Sequence, residues 1–297
     1  MSLLPIERAC GAMLGLAIGD ALGATVEFMT PREIAVQFGV HRHIRGGGWL
    51  RLRPGEVTDD TTMSFALAEA WLAAGGAPDA RACAAAFDGW MRAKPVDIGN
   101  TVRRGIVRWR RHGTAQAEPS AEAGNGATMR CLPVALATLG ADPEAIAAAA
   151  LTQARVTHHN PLTDAATLCV VRMVHAAFAG RGVGGVLAEA DALAAAHPEF
   201  AYRERRCDNP SGYIVDTLRA VCQAIAACDG FEAVLIDVVN RGGDADTTAA
   251  IAGMVMGALV GERALPAAWR KAVKAAVRKD CVRLASGLLA LAPAGDD

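Results

Sequence analysis

Two short stretches, far apart in the chain, carry the same arrangement of oxygen-bearing side chains. In "VTDDTTM" Asp59 and Asp60 stand together, with Thr58 before them and Thr61 and Thr62 after. In "GGDADTTAA" Asp244 and Asp246 precede Thr247 and Thr248. Each stretch runs directly into small apolar residues with a helical pattern. A single Asp or Thr there would cap the helix by accepting orphan N–H bonds, and negative charge suits the positive end of the helix dipole. One residue suffices for capping, however, and adjacent carboxylates repel. The doubling tips the balance. Two acid-and-hydroxyl clusters supply only hard oxygen ligands, the set that magnesium or manganese favours. Four carboxylates meeting in one place require cations between them. The pattern therefore predicts that both helix starts converge on divalent metal.

The elements that would position these residues are helices. Helical periodicity dominates and strand alternation is absent, which predicts an all-α fold, a multi-helix bundle in one domain spanning 1–297. Helices are expected over 6–22, 61–74, 79–93, 99–111, 128–139 and 143–154. Six more follow over 161–179, 183–196, 213–227, 231–240, 247–260 and 267–290, with loops at 26–57, 112–127 and 197–212. Glycines recur every four residues in two of the helices: Gly11, Gly15, Gly19 and Gly23, then Gly253, Gly257 and Gly261. Such stripes let backbones approach closely, and here they predict tight packing at the bundle centre that draws the two acid clusters together. Gly46-Gly47-Gly48 lacks the Lys-Ser or Lys-Thr of a P-loop. Arg103, Arg104, Arg108 and Arg111 share one helical face opposite Val102, Ile106 and Trp109 and read as a solvated face.

The bulk numbers limit the alternatives. Of 297 residues 52% are hydrophobic but only 5% aromatic, which points to tight packing of small side chains. A net charge of −1 gives no general reason to expect nucleic acid or a membrane surface as partner. The eight cysteines form no C-x-x-C pair and lie mostly in alanine-rich helical stretches, so they read as free thiols in a reducing cytoplasm. The N-terminus has no signal-peptide pattern, and the longest apolar runs, 9–18 and 247–260, fall short of the roughly 20 residues that span a bilayer. A cytoplasmic chain without a transmembrane segment is expected.

Six blocks together resemble a known family. "GLAIGDALGATVEF", "GEVTDDTTM", "GNGATMR", "VTHHNPLTDA", "GYIVDTLRA" and "NRGGDADTTAAIAGMVMGALVG" look like the signature blocks of the ADP-ribosylglycohydrolases, in family order, from Gly15 to Gly261. The resemblance implies an all-α fold with two divalent ions, Mn²⁺ or Mg²⁺, in a central cleft. It implies Thr58, Asp59, Asp60, Asp244, Asp246 and Thr247 as their ligands, in agreement with the acid clusters read on their own. Glu27 matches a family glutamate near the metals. His158 matches a histidine near the bound nucleotide, whereas His159 reads as structural. Tyr213 is implied to stack on adenine. Gly99-Asn100-Thr101 and Gly124-Asn125-Gly126 are turns or helix starts whose free N–H groups suit a pyrophosphate. Length and the block "KPVDIGNTVRRG" are most similar to the bacterial members that act on dinitrogenase reductase. That implies an ADP-ribosylated protein, nitrogenase iron protein, as substrate and a PII-type signalling protein as regulator.

The reaction so implied is hydrolysis of the bond between ribose and a guanidinium nitrogen of arginine. Asp60 or Glu27 would serve as base or assist the leaving group, and both direct displacement and prior ring opening are open. Asp97 would receive the planar, cationic guanidinium; its ordinary role would be a helix cap. Three rivals remain: a two-metal phosphoesterase, which usually adds histidine ligands; a non-catalytic ADP-ribose-binding module, which would have lost acids; and a calcium-binding structural protein, for which an EF-hand loop is missing.

Overall fold

A central antiparallel helix pair organises the molecule, and glycine makes the pair possible. The structure, a computed structural model, describes residues 3–293. Among them run α1 (Pro5–Gly23), α2 (Pro31–Phe38), α3 (Asp59–Ala74), α4 (Ala80–Arg92), α5 (Asn100–His112), α6 (Leu132–Ala137) and α7 (Pro143–Ala154). There follow α8 (Pro161–Phe178), α9 (Gly182–Ala196), α10 (Ile214–Ala227), α11 (Gly230–Asn240), α12 (Ala245–Val260), α13 (Ala267–Ala272) and α14 (Ala275–Leu289). No strand forms among the described residues, only isolated bridges between Gly47 and Leu52 and between Gly124 and Tyr213. The all-α expectation holds.

α1 and α12 touch backbone to backbone. A Cβ on Gly15 would lie 2.1 Å from the Gly253 carbonyl oxygen, one on Gly19 2.0 Å from that of Ala249, and one on Gly257 2.0 Å from that of Gly11. Only hydrogen fits. The α12 side of the stripe is Ala245, Ala249, Gly253 and Gly257; Gly261, expected to continue it, instead ends the helix at φ 76°. Arg8 donates to the Ala258 and Leu259 carbonyls at 2.8 and 2.9 Å, satisfying the C-terminal acceptors of α12. Because the pair is antiparallel, the end of α1 meets the start of α12, and α3 packs beside both. α14 covers α1 from another side, and α8, α10 and α11 pack against α12.

Three expectations about elements need correction. The span 26–57 is not all loop, because α2 forms within it: Thr30 accepts from Glu33 N–H, Glu33 returns the bond to Thr30 N–H at 2.7 Å, and Pro31 opens the first turn. The helix expected over 128–139 starts only at Leu132, after a run of turns. Pro133 has no N–H for the Met129 carbonyl and its ring would clash there, while Arg130 turns back to the Gly126 carbonyl at 3.0 Å. The helix expected over 267–290 breaks at Val273 and Lys274, both extended. Lys274 N–H pairs with the Gly55 carbonyl at 3.1 Å and its ammonium with Glu56 at 2.6 Å. A tertiary contact there overrides helical propensity.

Candidate active site

The start of α3 is capped from another helix. Asp20, buried near the end of α1, accepts from Thr58 N–H at 2.9 and 3.0 Å, from Thr61 N–H at 3.1 Å and from the Thr61 hydroxyl at 2.5 Å. With those donors satisfied, Asp59 and Asp60 are not needed as caps. The Thr58 hydroxyl instead reaches Asp60 Oδ2 at 3.0 Å and Asp246 Oδ2 at 3.5 Å, and the Thr247 hydroxyl reaches Asp60 Oδ2 at 3.4 Å. The two helix starts converge, as their sequences predict.

A second grouping shares a member with the first. Oxygens of Glu27, Asp244 and Asp246 lie within 4.8 Å of one another. Glu27, expected as an acid near the metals, therefore stands where a ligand would. Trp49 Nε1 donates to Glu27 Oε2 at 2.6 Å, and Asn125 Nδ2 donates to Asp244 Oδ2 at 2.6 Å. Asp246 belongs to both groupings.

The electrostatics of this cluster are those of a cation site. Burial pushes the Asp20 carboxyl up to about 6, Asp59 to about 7 and Glu27 to about 8, and raises Asp244, with Asp60 and Asp246 well above the usual carboxylate range. For Glu27, Asp59, Asp60 and Asp246 the neighbouring carboxylates push the same way. Among the described residues none of the six is in an ion pair with lysine or arginine. Asp60 Oδ1 is buried without any partner. An all-oxygen donor set of crowded acids with an orphaned buried oxygen fits a hard divalent cation.

The cluster opens onto a cleft of about 480 Å³. Glu27, Asp59, Asp244, Asp246 and Thr247 line it together with Asp97, Gly99, Asn100, Thr101, Gly124, Asn125, Gly126 and His158. Thr58 and Asp60 are buried outside its lining, 0% and 1% exposed. Tyr213 is not in the lining either: its backbone bridges Gly124 and its side chain is 40% exposed at the side. Asp97 is not a helix cap. Gly99 holds that position on α5, and Asp97 accepts only from the adjacent Ile98 N–H at 2.7 Å. His158 packs against Gly124 and Gly126, where a Cβ would come within 3.1 and 3.0 Å of its ring. Its Nδ1 meets the Thr157 hydroxyl at 2.8 Å, and that hydroxyl already accepts from Arg130 at 2.8 Å. Thr157 has no other acceptor among the described residues, so the arrangement that uses its proton has it donate to Nδ1, with the His158 proton on Nε2. Burial, aided by Arg130 and Arg104, drops the His158 pKa to about 3, so the ring stays neutral. His159 is tied to the Ala117 carbonyl at 2.7 Å.

The whole chain, residues 1–296, matches the family model of the ADP-ribosylglycohydrolases. The chain belongs to the ADP-ribosylglycohydrolase family. It is 50% identical over 287 residues to the ADP-ribosyl-[dinitrogen reductase] glycohydrolase of Rhodospirillum rubrum, covering 96% of this chain and 97% of that protein. It is 33% identical to the ADP-ribosylarginine hydrolase Tri1 of Pseudomonas putida, over 98% of this chain and 80% of the relative. A solved structure described as an ADP-ribosylglycohydrolase-related protein complex superposes with a TM-score of 0.86 at 33% identity, over 97% of this chain and 99% of that one.

Two residues of this family member escape a reading by motif. Asp20 sits within a block of the resemblance; its signal is an acid in the last turn of α1, after an apolar, glycine-striped run from Ala9 to Gly19. Trp49 follows three glycines at φ 68°, 84° and 67°, a turn that glycine alone adopts readily. A Cβ on Gly48 would lie 2.2 Å from the Ala24 carbonyl oxygen, so the run lets the chain press against the end of α1 and deliver Trp49 to Glu27.

Proposed function

We propose that this protein is a metal-dependent hydrolase that removes mono-ADP-ribose from modified arginine side chains of a target protein. The observation that supports this most directly is the convergence of Asp59, Asp60, Asp244, Asp246 and Glu27 at a cleft lined by short glycine–asparagine turns. Thr58, Asp59, Asp60, Asp244, Asp246 and Thr247 would hold two Mn²⁺ or Mg²⁺ ions, with Glu27 beside them, and the ions would supply binding of the ribose hydroxyls and a lowered pKa for the attacking water. Asp246, which belongs to both groupings, would be among the residues that hold the metal.

The chain's own groups do the rest. The Asn125 N–H is taken by the Gly212 carbonyl at 3.1 Å and that of Gly99 by Asp59, so the N–H groups of Asn100 and Thr101, where α5 begins, and of Gly124 and Gly126 would receive the pyrophosphate. His158 adds a neutral Nε2–H donor on the same wall. Asp97, half-buried on the cleft wall, receives the guanidinium through charge-assisted bonds and holds the scissile nitrogen in place. Of the two candidate bases, Glu27 lines the cleft and Asp60 does not. Trp49 occupies Glu27 Oε2, which leaves Oε1 to take the proton of the attacking water. Tyr213, outside the cleft lining but bridged through its backbone to Gly124, would stack on adenine.

Dinitrogenase reductase is the target we propose, from the likeness to the Rhodospirillum rubrum protein, with a PII-type protein as regulator and a single cytoplasmic domain as the working unit. No helix among the described residues is long and apolar enough to cross a membrane. The phosphoesterase alternative loses ground because no histidine joins the acid cluster, and the binding-module alternative because every acid is in place. Incubation with mono-ADP-ribosylated arginine, with and without manganese, tests the proposal by release of free ADP-ribose. Release of AMP in place of ADP-ribose, or no reaction with the metal-loaded protein, would overturn it.

A further inference from the structure

The rim of the cleft next to Glu27 carries apolar surface that the reaction chemistry does not use. Ten large apolar side chains are exposed among the described residues, and four of them, Phe28, Val36, Val40 and Trp49, fall in one short segment beside the cleft. Val36 is 83% exposed and Phe28 64%. α2 buries only Ile34 and turns the rest of its surface outward. Between α2 and the Phe28–Trp49 pair runs an open groove of about 720 Å³. Glu27, Phe28 and Trp49 line both this groove and the cleft, so the two adjoin.

Phe28 is held outward at a cost. Its φ is 64°, the left-handed region in which a bulky residue is rare. The conformation is enforced by two backbone bonds to the loop before α12, Phe28 N–H to the Gly243 carbonyl at 2.7 Å and Gly243 N–H to the Met29 carbonyl at 2.9 Å. Its ring then stands 5.4 Å from that of Trp49, where neither is fully buried. A strained backbone that exposes an aromatic pair at a cleft mouth does nothing for the folded chain alone.

The leaving group of the proposed reaction is an arginine on a polypeptide, and an arginine side chain reaches only about two residue lengths along an extended chain. The substrate backbone must therefore cross the rim. We propose that the groove between α2 and the Phe28–Trp49 pair docks the substrate polypeptide beside its modified arginine and prefers a large apolar side chain there. This rests on the arginine reading above and adds a second recognition element outside the ADP-ribose cleft. Because Trp49 both lines the groove and bonds Glu27, an occupied groove also braces that carboxylate.

The test compares three substrates with the full-length metal-loaded protein: free ADP-ribosyl-arginine, and two ADP-ribosylated peptides whose modified arginine is flanked by phenylalanine or by glycine. The wild-type protein is expected to favour the phenylalanine peptide over the glycine peptide by about tenfold in kcat/KM, the scale of one side chain entering an apolar pocket. Val36→Asp, on the exposed face of α2, should abolish that preference through KM while leaving free ADP-ribosyl-arginine turnover and Tm unchanged; Val36→Leu should retain it. Equal kcat/KM for the two peptides in the wild type, or an equal loss on all three substrates in Val36→Asp, would overturn the groove assignment. No turnover of free ADP-ribosyl-arginine by the wild type would instead overturn the arginine reading, and the groove with it.

Discussion

The starts of α3 and α12 are nearly the same word used in two ways. Asp60-Thr61-Thr62 aligns with Asp246-Thr247-Thr248, and the last threonine does the same thing in each. Thr62 bonds the Thr58 carbonyl at 2.9 Å and Thr248 the Asp244 carbonyl at 2.6 Å. The middle threonines diverge. Thr61 turns to Asp20 and locks α3 onto α1, whereas Thr247 turns into the acid cluster towards Asp60. Asp20 near the end of α1 accounts for the difference, because its side-chain hydrogen bonds among the described residues go to the α3 start. A shared local sequence therefore does not assign shared roles. What packs opposite each hydroxyl decides whether it anchors or ligates.

Removing one acid from each word tests their equivalence most severely. Asp60→Asn and Asp246→Asn should each weaken manganese binding, measured by calorimetric titration, and turnover by at least about 100-fold, the upper scale for disturbing a metal's ligand environment. Both variants should remain folded, since each relieves repulsion among buried carboxylates. Undiminished manganese binding by either would mean that the two starts do not build one site.

A carboxylate outside both words sharpens the contrast. Asp97→Asn should lower turnover of ADP-ribosyl-arginine by roughly tenfold, a lost charge-assisted bond, with metal affinity and Tm unchanged because Asp97 caps no helix. An earlier melt with normal turnover would return Asp97 to a structural role.

The threonines should separate stability from chemistry. Thr61→Val removes a hydroxyl from a buried carboxylate and is expected to cost about 2 kcal/mol of folding stability with metal affinity little changed. Thr247→Val should do the reverse, reducing metal affinity about tenfold while Tm in chelator stays put. The same phenotype from both would erase the distinction drawn here.

The smallest effect is a pH trend. Burial holds Asp20, Asp59 and Glu27 near 6, 7 and 8, above their ordinary values of 3.8, 3.8 and 4.5. Such groups bind protons more tightly in the folded, metal-free chain than when unfolded. Their contribution is full below about pH 4 and is lost as pH rises through about 6 to 8. The Tm of chelated protein should therefore fall by a few degrees from pH 6 to pH 8, while added manganese, which replaces those protons, raises Tm more at pH 8 than at pH 6. A chelated protein that gains stability over that window would contradict the crowded-acid account.

Much of this was legible in the sequence because the signals are local. Helix class, the Asp-Thr-Thr words and the glycine stripes each depend on spacing within a few turns. The misplaced elements share one cause. Lys274 leaves the helix to pair with Gly55, and the turns before α6 are fixed by Arg130 and Pro133 together. Of these, Pro133 alone was visible in advance, and the helix expected there ran through it. Thirteen residues expected at the site from the motifs line the cleft, whereas Tyr213, Thr58 and Asp60 lie outside its lining.

Sequence by itself determined an all-α chain and supplied the oxygen donors, because periodicity and residue type need no knowledge of distant neighbours. Only the tertiary structure decided that Asp20 caps α3, that Trp49 holds Glu27, and that Asp246 stands in both acid groupings. Those choices join residues as far apart in the chain as Glu27 and Asp246. They follow from how closely α1 and α12 can approach, a distance set by glycine hydrogens along their whole contact and by nothing within either acid cluster.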